Sequence, residues 1–194
     1  MQQITDRMFS TRIATQIYAK ICFEATNSQK KIIENLSEYL SGDDFSRIFV
    51  LNGFAGTGKT TLIAAVVAAL KELRIKPVLL APTGRAAKVL ARYCGEQALT
   101  IHKRIYRQRT NADYESKFSL DFNREQGAVF IVDEASMLSD STGDGALFGS
   151  GSLLEDLVSY VRSGRGCRLI LVGDSAQLPP VGCDFSPALD PATV

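Results

Sequence analysis

Residues 47–60 read RIFVLNGFAGTGKT, and the architecture of the chain hangs on them. Arg47 to Asn52 is a short, mostly apolar and β-favouring run, the composition of a buried strand. Gly53 to Thr60 then fits the pattern GxxxxGK[ST] in full. Residues 59–73, KTTLIAAVVAALKEL, follow as a strong helix former. A strand, a glycine turn and a helix form the setting in which this pattern wraps phosphate. Glycines let backbone N–H groups close on phosphate oxygens, and the helix N-terminus adds a favourable dipole. Lys59 reaches the β- and γ-phosphates of a nucleoside triphosphate, and the Thr60 hydroxyl is a ligand for magnesium (Mg2+). Gly53, Ala55, Gly56, Thr57, Gly58, Lys59, Thr60 and Thr61 are therefore candidate nucleotide-binding residues.

Working outward, Pro77 to Ala81, Ala128 to Val132 and Leu169 to Val172 read as further strands, apolar throughout rather than alternating. That is the habit of a parallel sheet covered on both faces. Residues 84–92 read as a helix, and strand and helix alternate, so the class is α/β. Upstream, Ile32, Ile33, Leu36 and Leu40 recur at helical spacing, with Asn27 or Ser28 as the expected N-cap. Residues 107–127 are polar with alternating Phe118, Leu120 and Phe122, which predicts a small hairpin excursion rather than a core element. Residues 139–152, SDSTGDGALFGSGS, predict a mobile loop.

One predicted strand, VFIV, ends in two adjacent carboxylates, Asp133 and Glu134. Asp133 suits magnesium, and Glu134 suits polarisation of a water for in-line attack on the γ-phosphate. A kinase has no need to activate water, so the pair points to hydrolysis. The last strand runs into GDSAQLPPVG, residues 173–182, which a parallel sheet brings to the same edge as the glycine turn. There the amide of Gln177 can sense the γ-phosphate or hold the attacking water.

The chain has 194 residues, 45% hydrophobic and 22% charged, the balance of one ordinary globular domain. No apolar run approaches the ~18 residues a membrane helix needs. The first twenty residues carry Asp6, Arg7, Arg12 and Lys20 and lack an apolar signal core, so a cytoplasmic location is expected. Cys22, Cys94, Cys167 and Cys183 are widely separated, which argues against a disulfide framework or a zinc site. Net charge is +1, but residues 84–109 hold seven basic side chains and one acidic. A basic block inside a nearly neutral chain is a candidate contact for a polyanion.

GFAGTGKTT, APTGRAAKVL, VFIVDEASML and LILVGDSAQLPPVG, in this order, resemble motifs I, Ia, II and III of superfamily 1 DNA helicases. The nearest resemblance is to the RecD-like branch, which includes the alpha subunit of exonuclease V. Thr100-Ile101-His102 resembles the short element that follows motif Ia there. The resemblance implies a RecA-like P-loop NTPase domain, with a central, mostly parallel sheet flanked by helices. It implies ATP and magnesium as cofactors, and catalytic roles for Lys59, Glu134 and Gln177. It also implies adenine contact by Gln29, and contact with single-stranded DNA by Pro82, Thr83, Gly84, Arg85 and His102. The hairpin at 107–127 takes the place of a small strand-separating subdomain. Movement along DNA in the 5′-to-3′ direction and partner subunits of a helicase–nuclease complex are implied in the same way. Such helicases carry a second RecA-like domain with motifs IV to VI, and the sequence stops about a dozen residues after motif III. The expectation is a first motor domain, spanning 1–194, that binds ATP and does not unwind DNA by itself. Two other readings compete: a nucleotide-dependent DNA-binding module without turnover, and a small-molecule phosphotransferase. The latter needs an acceptor pocket and a lid, and fits the basic block poorly.

Overall fold

The computed structural model describes residues 2–110, 116–138, 148–177 and 186–190. Its centre is a five-stranded sheet in the order β1-β7-β6-β2-β3, with every neighbouring pair parallel. The strands are β1 (Ile48–Asn52), β2 (Pro77–Ala81), β3 (Ala98–Thr100), β6 (Val129–Val132) and β7 (Arg168–Gly173). The predicted strands thus recur with boundaries within a residue, and the α/β class holds. Strand β3, only three residues long and half-buried, is an addition.

Both faces of the sheet are covered. Val129, Ile131, Ile170 and Val172 point into one core with α1 (Gln2–Lys20), α2 (Asn27–Ser41), α3 (Lys59–Glu72) and α4 (Gly84–Cys94). Phe130, Val132, Leu169 and Leu171 point into the other, against α5 (Ile101–Ile105) and α6 (Leu153–Ser163). Alternate side chains therefore enter different cores, which is why the positions from Val129 to Val132 and from Leu169 to Val172 are all apolar. Each fully buried Phe, Ile or Leu contributes roughly 1.5–3 kcal/mol. Helix α2 is pinned to β7 by Tyr39, whose hydroxyl donates to Leu169 O (2.9 Å) and accepts from Leu169 N (3.1 Å). Burial pushes this phenol up to about 12.

The cap of α2 differs from the expectation. Thr26, not Asn27 or Ser28, is the N-cap, and it forms a reciprocal capping box with Gln29. Thr26 Oγ1 accepts the Gln29 N–H (3.3 Å), while Gln29 Oε1 accepts the Thr26 N–H (3.0 Å). The Thr-x-x-Gln spacing carries that signal.

The hairpin is present as antiparallel β4 (Tyr106–Thr110) and β5 (Ser116–Leu120). It is not detached from the core, contrary to the sequence reading. Phe118 and Leu120 lie on one face of β5 and pack on the second core, while Phe122, past the strand end, is 67% exposed. Phe118 stacks on Phe148 with centroids 4.6 Å apart. The Tyr106 hydroxyl donates to the buried Asp156 carboxylate (2.6 Å), which also accepts the Ser150 N–H (3.0 Å). Of the loop predicted at 139–152, residues 148–152 are thus held in place, and 139–147 lie outside the described residues. Among the described residues, no helix is long and apolar enough to cross a membrane.

Candidate nucleotide and DNA site

Five parallel strands deliver their carboxyl ends to one edge, and the candidate residues follow in spatial order along it. At that edge β1 opens into the glycine turn, β7 into Asp174, β6 into Asp133, β2 into Pro82, and β3 into α5. The first three are adjacent. Asn52 and Gly173 are register partners, and Asn52 Oδ1 accepts the Ser175 N–H (3.1 Å).

The glycine turn suits an anion for a local reason. Gly56 (φ 78°) and Gly58 (φ 83°) are left-handed, a conformation that a side chain would strain. Gly58 is also the N-cap of α3, with no side-chain hydrogen bond to close the helix. Helices α2, α4, α5 and α6 are closed by Thr26, Thr83, Thr100 and Ser152. Helix α3 instead leaves its first N–H groups to whatever enters the turn. Lys59 Nζ donates to Gly53 O and to Phe54 O (2.8 Å), and it stands 4.0 Å from Asp174 Oδ2.

A cleft of about 380 Å3 joins Ala55, Gly56, Gly58, Lys59, Thr60, Thr61, Asp133, Glu134 and Gln177. Tyr93 and Asp174 line it too, and the sequence reading assigned neither. Asp174 was legible, because it follows directly on β7. Tyr93 depends on how α4 packs on α3. A second cavity of about 660 Å3 shares Gly56, Gly58, Lys59 and Thr61, and adds Gln29, Gly53, Thr57, Phe23 and Phe54. Gln29 Nε2 donates to Thr57 O (3.3 Å), so the predicted adenine reader sits against the turn. The two cavities therefore adjoin at the glycine turn.

The donor set fits magnesium. Thr60 and Asp133 offer hard oxygen ligands within reach of one cleft, and magnesium habitually takes one or two protein ligands besides phosphate and water. No group of three or more His, Cys, Asp or Glu able to hold a metal exists among the described residues. Burial raises the Asp133 carboxyl above the usual range. The Glu134 carboxylate pushes the same way, against the Glu134 N–H and Lys59. A cation at this position would restore its charge. Burial pushes the Cys94 thiol up to about 11, and soft sulfur is in any case a poor ligand for magnesium.

Glu134 has φ 55° and caps the short 3-10 turn Ala135–Met137. Inside that turn Ser136 Oγ donates to Gln177 Oε1 (3.1 Å). The segment after β6 and the one after β7 are thereby tied by one hydrogen bond. The continuation Leu178 to Gly182 lies outside the described residues.

Pro82, Thr83, Gly84 and Arg85 form the next station along the edge and do not line the phosphate cleft. Thr83 caps α4 through the Ala86 N–H (3.2 Å), and Gly84 and Arg85 are exposed. His102 is exposed on α5, one strand further out. Its ring stands edge-on to Phe148 (5.2 Å) and is tilted against Tyr106 (5.6 Å). The basic block of residues 84–109 does not form one surface. Arg85, Lys88 and Arg92 lie on α4, and Lys103, Arg104 and Arg107 lie beside the hairpin.

The sequence profile of an AAA domain family matches residues 24–184. An ATP-dependent RecD2 DNA helicase of Deinococcus radiodurans is 33% identical over 70% of the chain and 16% of its own length. A RecBCD enzyme subunit RecD of Mycobacterium tuberculosis is 35% identical over 69% of the chain and 24% of its own length. The ATP-dependent DNA helicase dda of Enterobacteria phage T4 is 34% identical over 68% of the chain and 28% of its own length. The chain thus spans less than a third of these relatives' length. The Pif1 helicase of Candida albicans superposes over 82% of the chain and 34% of its own, with TM-score 0.48 and 23% identity.

Proposed function

The chain belongs to the AAA domain family, in the RecD-like superfamily 1 helicase branch, and from that premise we propose that it binds and hydrolyses ATP to move a motor along single-stranded DNA. One observation carries the reading: Lys59, Thr60, Asp133, Glu134 and Gln177, drawn from three adjacent strand ends, share one cleft. Bound magnesium would neutralise charge on the phosphates. Lys59 and the α3 N–H groups hold the β- and γ-phosphates, Thr60 and Asp133 hold the cation, and Glu134 orients the attacking water. Gln177 reads the γ-phosphate and passes its state to the Glu134 turn through Ser136. Gln29 reads the base from the rim of the turn.

Arg85 and His102 take DNA phosphates along the same edge, with Pro82, Thr83 and Gly84 shaping the backbone there. Polarity 5′-to-3′ and membership of a helicase–nuclease complex complete the proposal. Among the described residues no arginine lines the phosphate cleft. A positive finger there is typically worth ~10³–10⁵ in rate, so residues 1–194 alone turn over slowly. Steady-state phosphate release tests the reading. Release that depends on magnesium and rises with single-stranded DNA supports it. Tight ATP binding without any turnover, with or without DNA, would leave a binding module instead.

A further inference from the structure

At the root of the hairpin is a cavity of about 380 Å3 that shares no residue with the nucleotide site. It runs from Lys103, just past the carboxyl end of β3, to Glu125 near the amino end of β2. Glu125, on its wall, is paired with Lys76, the residue just before β2 (2.7 Å). Four cations line it, Lys103, Arg104, Arg107 and Arg124, against two carboxylates, Asp121 and Glu125.

The ion pairs do not use up the positive charge. Arg107 is paired with Asp121 (2.6 Å) and Arg104 with Glu125 (2.6 Å), which fixes the walls. Lys103 and Arg124 are exposed and form no ion pair among the described residues. Arg104 Nε is buried with no hydrogen-bond partner among the described residues, an unmet donor on a wall residue. Phe122, also on the wall, leaves 67% of its surface in solvent. Spare cations need an anion, and an exposed ring offers a flat stacking face. An acidic peptide would satisfy the charges and leave the ring unused. A duplex keeps its bases stacked inside and could not use the ring either. A single nucleic-acid strand satisfies both, because its bases can swing out onto an aromatic while phosphates meet the cations.

We propose that this cavity is a second nucleic-acid site, taking phosphate on Lys103 and Arg124 and an adjoining unstacked base on Phe122. Lys103 directly follows His102 on α5, whereas Arg124 and Phe122 lie on the segment between β5 and β6, so those two report on this cavity separately from Arg85. The test is fluorescence anisotropy of a labelled 15-mer oligothymidylate on the full chain, with ATP affinity as the control for folding. Lys103→Glu combined with Arg124→Glu is expected to weaken binding at least tenfold. It should also flatten the plot of log affinity against log salt by about 1.4, near 0.7 per released single-strand contact. Phe122→Ala should cost about fivefold or more with the thymidine strand and nothing with an abasic strand of equal length. Arg85→Ala reports separately on the other edge. Unchanged affinity in the double charge variant, with Arg85→Ala still damaging, would overturn the second site alone. So would displacement of the strand by an equally charged oligoglutamate in a protein where Phe122→Ala is silent, for that marks an acidic-peptide surface.

Discussion

At the carboxyl edge of the sheet, the proposed anion grip is largely main chain, two left-handed glycines and an uncapped helix, with one lysine side chain beside them. At the hairpin root the cationic surface is made of long side chains, drawn from α5, β4 and the irregular segment leading to β6, with Tyr160 of α6 behind them. The first arrangement is rigid and short-range, because eight consecutive residues determine it. The second depends on how four segments pack, and two of its arginines, Arg104 and Arg107, are held by carboxylates brought from elsewhere. A backbone grip fixes where a phosphate sits. A side-chain grip tolerates a strand that slides, since long cationic side chains follow a moving charge at little cost.

The contrast breaks most sharply at Glu134. Glu134→Gln is expected to lower phosphate release at least a hundredfold with ATP affinity unchanged, because loss of a positioned base typically costs 10²–10⁴. Equal losses in binding and turnover would return Glu134 to a mere acidic strand end. Next in size, Lys59→Ala should weaken ATP at least tenfold by calorimetry through loss of a charge-assisted phosphate contact. It should leave binding of the oligothymidylate in the absence of nucleotide unaffected. Smaller again, Arg85→Ala and His102→Ala should each weaken single-stranded DNA several-fold, and Arg162→Ala and Arg165→Ala should not. Equal effects from all four substitutions would mean that the carboxyl edge is not a track.

The smallest effect concerns the wall of the hairpin root. Burial raises the Glu125 carboxyl, but hydrogen bonds and charges from Lys76 and Arg104 outweigh it and hold it below the ordinary range. A carboxylate depressed in the folded state stabilises the fold above its unfolded value, near 4.3 for glutamate, and loses that contribution as pH falls through the folded value. Wild type should therefore melt above Glu125→Gln at neutral pH. The gap should close as pH is lowered through and below about 4.3. A gap constant across that range would make the network irrelevant to stability.

Much of the carboxyl edge was legible. Gly53 to Thr60, Asp133, Glu134 and Gln177 announce themselves because strand ends in a parallel sheet meet at one edge, whatever the strand order. Strand order itself was not legible, nor was β3, whose three half-buried residues carry too little pattern. The α2 cap was present in the Thr26-to-Gln29 spacing and was assigned one or two residues late. The basic block misled in a different way. Its residues are consecutive in sequence, yet α4 and α5 carry them to separate surfaces. Tyr93 reaches the cleft, and Phe118 the core, only through tertiary packing, which no local pattern encodes.

Glu134 holds a left-handed backbone, which in a residue with a Cβ costs of order 1–2 kcal/mol. Glycine or asparagine would sit there more comfortably. If Glu134 orients the attacking water as proposed, selection of this chain for heat resistance alone would drift away from glutamate at 134, at the expense of turnover. On that proposed role the angle at 134 is retained against stability for the sake of turnover, whereas Arg74, also left-handed (φ 61°), does not line the cleft.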